Sequence, residues 1–275
     1  MRHSKWLLLT LSIGLAVLTS GCAKLQSRDQ MNQGVQAYRN NHYVDAVKHF
    51  KEAVRLDPTN QNAQLYLATS YMIQWVPGAE SPDNKKNYDM AQQEFQKVLS
   101  KDPTNSLALA SMASMAYNSA TGGTPEQKKA ALEEARKWNQ RRIEVDPKDA
   151  EAYYYLGVID YAEALGPIST ARVDEKLRPD NPGPLPDQKV RQDLNDKFAK
   201  LIDSGIENLK KCLAIDKENE DAMSYINLLL REKAALETSP DEAKADSAQA
   251  DQWMNKSLDM KRIKASRPQK TTEAS

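Results

Sequence analysis

The chain has 275 residues, with 38 Lys or Arg against 38 Asp or Glu, so its formal net charge is zero. That balance argues against a nucleic-acid partner, because duplex binding draws on a basic excess that displaces condensed counterions. Only 10 Gly and 3 Phe within a 40% hydrophobic composition favour helix over extensive sheet. Three His and two Cys leave little for a metal centre or a His-based catalytic apparatus.

In chain order, Arg2 and Lys5 come first, followed by an uncharged run from Trp6 to Gly21. Its apolar centre, Trp6 to Leu18, is 13 residues long, whereas a spanning helix needs about 20. A short basic start, a short apolar stretch and small residues after it describe a secretory signal. The run ends Leu18-Thr19-Ser20-Gly21-Cys22. This ending resembles the bacterial lipobox, in which small residues precede a cysteine that is acylated and becomes the new N-terminus. Leu18 stands one position earlier than is usual, and Thr19 takes its place. A signal cut after Ala23 and an uncleaved anchor are the alternatives.

The lipobox resemblance implies a signal peptide over 1–21, lipidation at Cys22 and a short linker over 22–26. It implies a membrane-anchored lipoprotein facing the periplasm. Ala23 rather than Asp after Cys22 points to the outer membrane in a Gram-negative cell; in a Gram-positive one the chain faces outward from its membrane. Cys212 is then the only free thiol, and no intramolecular disulfide forms even in an oxidising compartment. The mature net charge is −2, from 36 basic and 38 acidic side chains.

The rest of the chain repeats itself. Residues 28–60 carry Gly34, Tyr43, Ala46, Phe50, Ala53 and Asp57-Pro58-Thr59-Asn60. Small residues at 34 and 46 let two helices approach, Phe50 and Ala53 share a face, and Pro58 ends the second helix. This spacing resembles the tetratricopeptide repeat (TPR), a pair of antiparallel helices. The ending recurs as Asp102-Pro103-Thr104-Asn105, Asp146-Pro147-Lys148-Asp149 and Asp216-Lys217-Glu218-Asn219. An alanine-containing helix follows each.

The intervals between these endings are 45, 44 and 70 residues, against a standard repeat of about 34. The excess falls between the first and second helix of each repeat, near 75–87, 119–129 and 163–190, with a similar break near 233–246. The longest break holds five prolines and is expected to be a loop rather than helix. The third repeat has Asn139 where Phe is usual and Arg142 where Ala is usual. The expected architecture is an all-α, right-handed α-solenoid of about five TPR-like helix pairs over 27–261, with insertions between the helices of several repeats. Residues 262–275 are expected to form a basic disordered tail.

Candidate chemistry is sparse. His42 and His49 are seven apart, but the repeat puts the first in a turn and the second on an outer face, without a third ligand. Glu133-Glu134 and Asp241-Glu242 read as solvated charge. Gly122-Gly123 precedes Thr124-Pro125 as a turn and helix start, and no phosphate loop is present. Cys212 stands where the repeat has alanine and reads as a small buried hydrophobe. No catalytic residue, cofactor or metal site is expected.

What remains is the concave face that the TPR resemblance implies for the first helices. It takes Tyr38, Met72, Tyr117, Tyr154 and Tyr161, with Ser224, Leu228 and Arg231 in the last repeat. TPR domains that clamp acidic chaperone tails carry Lys and Asn there, whereas this face is mostly neutral and aromatic. It suits an apolar or helical peptide. The expected function is a non-enzymatic protein–protein interaction scaffold tethered to a membrane, in envelope, outer-membrane or pilus assembly. The competing reading is an enzyme or small-ligand receptor built from the long insertion and the groove.

Overall fold

The computed structural model describes residues 22–178 and 183–267. The expected signal segment 1–21, Pro179 and Pro182 of the long break, and residues 268–275 of the expected basic tail lie outside the described residues. The described residues are helical apart from short connections, without a strand among them. They form ten helices: α1 (22–39), α2 (Tyr43–Leu56), α3 (Gln61–Met72), α4 (Pro82–Lys101), α5 (Ser106–Ser119), α6 (Pro125–Val145), α7 (Ala150–Asp174), α8 (Gln188–Ile215), α9 (Glu220–Leu236) and α10 (Pro240–Ser266). Two compact units divide them, Met1–Thr124 with α1 to α5 and Pro125–Ser275 with α6 to α10.

The repeated ending is a two-part hydrogen-bonding device. The carboxylates of Asp57, Asp102, Asp146 and Asp216 accept from the backbone N–H two residues on, at 2.9–3.2 Å. That closes an Asx turn at the end of each second helix. The fourth residue then caps the next helix: Asn60, Asn105, Asp149 and Asn219 accept from the backbone N–H of Ala63, Ala108, Ala152 and Ala222 at 2.8–3.0 Å. Such caps contribute about 1 kcal/mol each. The four alanines are fully buried. Lys217 replaces the proline without loss of the turn, because the aspartate and the cap do the bonding.

In the first unit α2 packs on α3, α3 on α4 and α4 on α5. Gly34 of α1 faces Phe50 so closely that an added Cβ would lie 2.5 Å from the ring. The Ser27 hydroxyl donates to the Ala53 carbonyl at 2.8 Å. Tyr66 stacks on Phe50 with centroids 5.3 Å apart. The loop between α3 and α4 is held by Asn84, whose side chain bonds both backbone groups of Val76 and the carbonyl of Ala79 at 2.7–2.8 Å.

In the second unit α6 packs on α7, α7 on α8 and α9, α8 on α9, and α9 on α10. Its core includes Ile168, Leu185, Ile202, Leu209, Cys212, Ile226 and Leu229. Asn139 and Arg142 fill the third repeat's inner positions with a polar network. Asn139 donates to the Ala135 carbonyl at 2.9 Å. Arg142 reaches both carboxylate oxygens of Asp149 at 2.9 and 3.1 Å, Glu151 at 2.6 Å and the Asn139 amide oxygen at 3.2 Å. A cap is thereby locked from behind by a buried guanidinium.

Several segments read from sequence as irregular are ordered. The break at 163–190 is helical through Asp174, with Pro167 inside α7. The backbone bond that proline cannot donate is outweighed by burial of Ala164, Ile168 and Ala171 on one face. Beyond it, Leu185 is fully buried and its N–H donates to the Ala235 carbonyl at 2.9 Å. The break expected near 233–246 shrinks to 237–239, between α9 and the Ser239 cap of α10. The expected linker 22–26 is the opening of α1. Residues 262–266 of the expected tail continue α10, where Lys264 pairs with Glu220 and Arg267 with Glu218.

Candidate functional site

The first helices of the last two pairs, α7 and α9, lie side by side. Tyr154 and Tyr161 are seven residues apart on α7, two turns along one face. Tyr225 of α9 meets both rings edge-on, with centroids 5.8 Å from Tyr154 and 5.6 Å from Tyr161. Tyr155 adds a further edge contact to Tyr154 at 5.3 Å. All four rings are half-buried, and Val158 is buried on the same α7 face. Edge-to-face pairs at these separations are the arrangement that aromatic quadrupoles favour.

Glu232 stands seven residues beyond Tyr225 on α9 and is 9% exposed. Its Oε2 has no hydrogen-bond partner. Burial raises its pKa above the ordinary carboxylate value, and the positive charge of Arg172 opposes the shift. The Tyr161 phenol is pushed up to about 12, by burial first, then by the negative charge of Glu232 and by Tyr225. Burial also raises Tyr225, with Asp221 adding to it.

The α9 face differs from the sequence expectation by one position. The Ser224 hydroxyl bonds to the Glu220 carbonyl and to Ser257 of α10 at 3.1 and 2.8 Å. Arg231 pairs with Asp251 of α10 at 2.7 Å. Both therefore point to α10, and Tyr225 and Glu232 take the face beside α7. A sequence signal existed: Tyr225 and Glu232 repeat the seven-residue interval of Tyr154 and Tyr161.

Tyr38, Met72 and Tyr117 belong to the first unit, where all three are half-buried. Tyr38 packs edge-on against Tyr43 and Tyr66, at 5.3 and 6.1 Å. Its phenol is raised by burial, then by Tyr43 and Tyr66. Met72 ends α3 and Tyr117 lies near the end of α5.

Several other ionisable groups are held within the fold. Arg136 of α6 pairs with Asp160 and Glu163 of α7, the first fully buried. His42 is exposed, but His49 is half-buried and bonds Gln30 of α1 at 2.9 Å, which corrects its outer-face placement. Cys212 is fully buried, and burial followed by Asp216 pushes its thiol up to about 11. Cys22 is exposed at the first described position. A cleft of about 530 Å³ opens between the end of α7 and the start of α8, floored by Ala171, Val190 and Leu194 and edged by Asp174, Glu175 and Lys189. Among the described residues, no His, Cys, Asp and Glu cluster is arranged to hold a metal ion, and no helix is long and apolar enough to cross a membrane.

The sequence profile of the plant-specific mitochondrial import receptor subunit TOM20 matches residues 30–120, about a third of the chain. No curated protein matches it in sequence. Among solved structures, the MamA protein superposes with a TM-score of 0.55 at 18% identity, over 87% of this chain and 94% of that one. MamA from residue 41 onward of Desulfovibrio magneticus RS-1 gives 0.54 at 15% identity, over 88% and 98%. TTC0263, a thermophilic TPR protein of Thermus thermophilus, gives 0.44 at 18% identity, over 87% and 97%. At such identities the likeness to the two MamA structures is one of fold. The chain is an all-α protein of tetratricopeptide-like helix pairs.

Proposed function

We propose that the chain is a non-enzymatic interaction module that binds a peptide or protein segment on the aromatic face of α7 and α9. The observation that carries this reading is the half-buried array of Tyr154, Tyr225 and Tyr161. Tyrosine offers large contact area at low entropic cost and is enriched at binding hot spots. The array sits on first helices, whose exposed faces are free of the backbone polarity that loops carry. In the same reading Cys22 carries a lipid that tethers the module to a membrane, facing the periplasm and serving envelope assembly. The lipobox-like run and the exposure of Cys22 support that part.

The test is partner recovery from detergent-solubilised envelopes by the parent chain and by Tyr117→Ala, Tyr154→Ala, Tyr161→Ala and Tyr225→Ala. Loss of one central anchor should cost about 2 kcal/mol, roughly thirtyfold in affinity. Circular dichroism checks folding. Full recovery by the three α7 and α9 variants would reject this face. Loss of recovery together with helicity would make the tyrosines core residues instead.

A further inference from the structure

The aromatic face of α7 and α9 carries a buried acid as well as tyrosines. Glu232 lies on the Tyr225 face of α9, nine-tenths buried, with Oε2 unpartnered. Its charge is felt by the Tyr161 phenol across the helix pair. An enclosed polar atom without a partner is destabilising, the more so when charged. The neighbouring carboxylates each have a direct ion pair: Asp160 is met by Arg136 through Oδ1, although its Oδ2 is also unpartnered, and Asp149 is met by Arg142. The second acid of the face, Asp221, is exposed, and Lys261 approaches it to 3.9 Å. Aromatic rings attract cations over their faces, most strongly when water is excluded. A buried carboxylate flanked by tyrosines is thus complementary to a positive charge and repels a negative one.

We infer that Glu232, with the rings of Tyr161 and Tyr225, accepts the lysine or arginine side chain of a bound peptide. The aliphatic stem of such a residue packs against the rings while its head reaches the carboxylate. This rests on the α7–α9 face being the binding site and adds the chemical class of what it selects. Arg172 attracts Glu232 through space, yet Oε2 keeps no hydrogen-bond partner, so the incoming cation adds a direct one.

The test uses the full chain carrying Cys22→Ser and 13C-labelled tyrosine rings. The probes are acetyl-Ala-Leu-Lys-Leu-Ala-amide and its norleucine counterpart, which keeps the stem and drops the charge. The lysine peptide should move the Tyr161 and Tyr225 ring signals saturably. The norleucine peptide, and Glu232→Gln with the lysine peptide, should bind at least tenfold more weakly. Equal binding of both peptides to the parent chain, or no movement by the lysine peptide, overturns the inference even if Glu232→Gln unfolds. Unchanged binding by a folded Glu232→Gln also overturns it. The two readings separate cleanly. Envelope partner lost by Tyr154→Ala and kept by Glu232→Gln sinks the cation subsite alone. Lysine-peptide binding with partner recovery untouched by Tyr→Ala sinks the protein-binding role alone.

Discussion

A carboxyl group that folding removes from water holds its proton to higher pH than the same group in the unfolded chain. Glu232 is in that position, its pKa raised from 4.5 chiefly by burial. Over the interval between its unfolded and folded values the folded state binds more protons, so its contribution to stability falls as pH rises. Glu232→Gln removes this dependence. Relative to the parent, the melting temperature of the variant should increase as the buffer moves from about pH 4 to pH 7; a constant difference would show that Glu232 ionises freely. Arg142 poses the opposite case, a buried cation with several partners. Arg142→Ala takes the guanidinium away from the Asn139 amide oxygen and from Asp149 Oδ2 and should cost about 2–3 kcal/mol in chemical denaturation. That is below the ~3–5 for a fully enclosed pair, because Glu151 is 61% exposed. Arg142→Met keeps the stem's packing and should cost less. Neither residue's burial nor its surroundings were legible in sequence, although the interval from Tyr225 to Glu232 was. Arg142 departs from the repeat's usual alanine, and only the folded chain brings Asp149 and Glu151 round to meet it.

Helix pairs depend on how closely two backbones approach. At Gly157 of α7 an added Cβ would fall on Leu209 of α8 and within 3.0 Å of the Gly205 carbonyl. Gly157→Leu has no room to enter and should destabilise by about 3 kcal/mol or more. Asp241→Leu, exposed in the first turn of α10, removes only a favourable end charge and should cost a few tenths of a kcal/mol. Thermal melts of the two variants check the contrast. The glycine at 157 and the four Asp-led endings were readable because each depends on local geometry: a bare Cα, an Asx turn, an Asn or Asp cap three residues before an alanine. The course of α7 past Pro167 was not. Proline opposes helix locally, and the burial of Ile168 that overrides it requires α8 to be in place.

At the scale of the molecule, the proposed attachment point and the proposed binding face belong to different parts of the chain. The anchor is expected at Cys22, where α1 begins, and the aromatic face lies on α7 and α9. Cys22→Ser should abolish acylation and release the chain from membranes as a soluble or unprocessed form, read by fractionation and by mass spectrometry of the mature species. Unchanged mass and unchanged membrane association would reject lipidation at this residue. With no described helix long and apolar enough to span a bilayer, the experiment isolates the N-terminal segment. Helicity should survive in the released protein, and so should the Tyr154–Tyr225–Tyr161 contacts, because none of those contacts involves residues before α7.

By itself the sequence determined the all-helical class, the pairing of helices and the four junctions between pairs. These follow from short-range patterns: three-to-four-residue apolar spacing, Asx turns and N-caps, each acting within a few residues. It also placed Tyr154 and Tyr161 on one face, since seven residues make two turns of any helix. Tertiary structure alone decided that most of the insertions would be spent as added helical turns, and that residues 262–266 would continue α10. It chose Tyr225 and Glu232 over Ser224 and Arg231 as the companions of those tyrosines. A helix offers every face equally to solvent, and which one is used depends on its neighbours. Here α10 claims Ser224 and Arg231 through Ser257 and Asp251, and the rotation this imposes on α9 turns a carboxylate toward the tyrosines of α7.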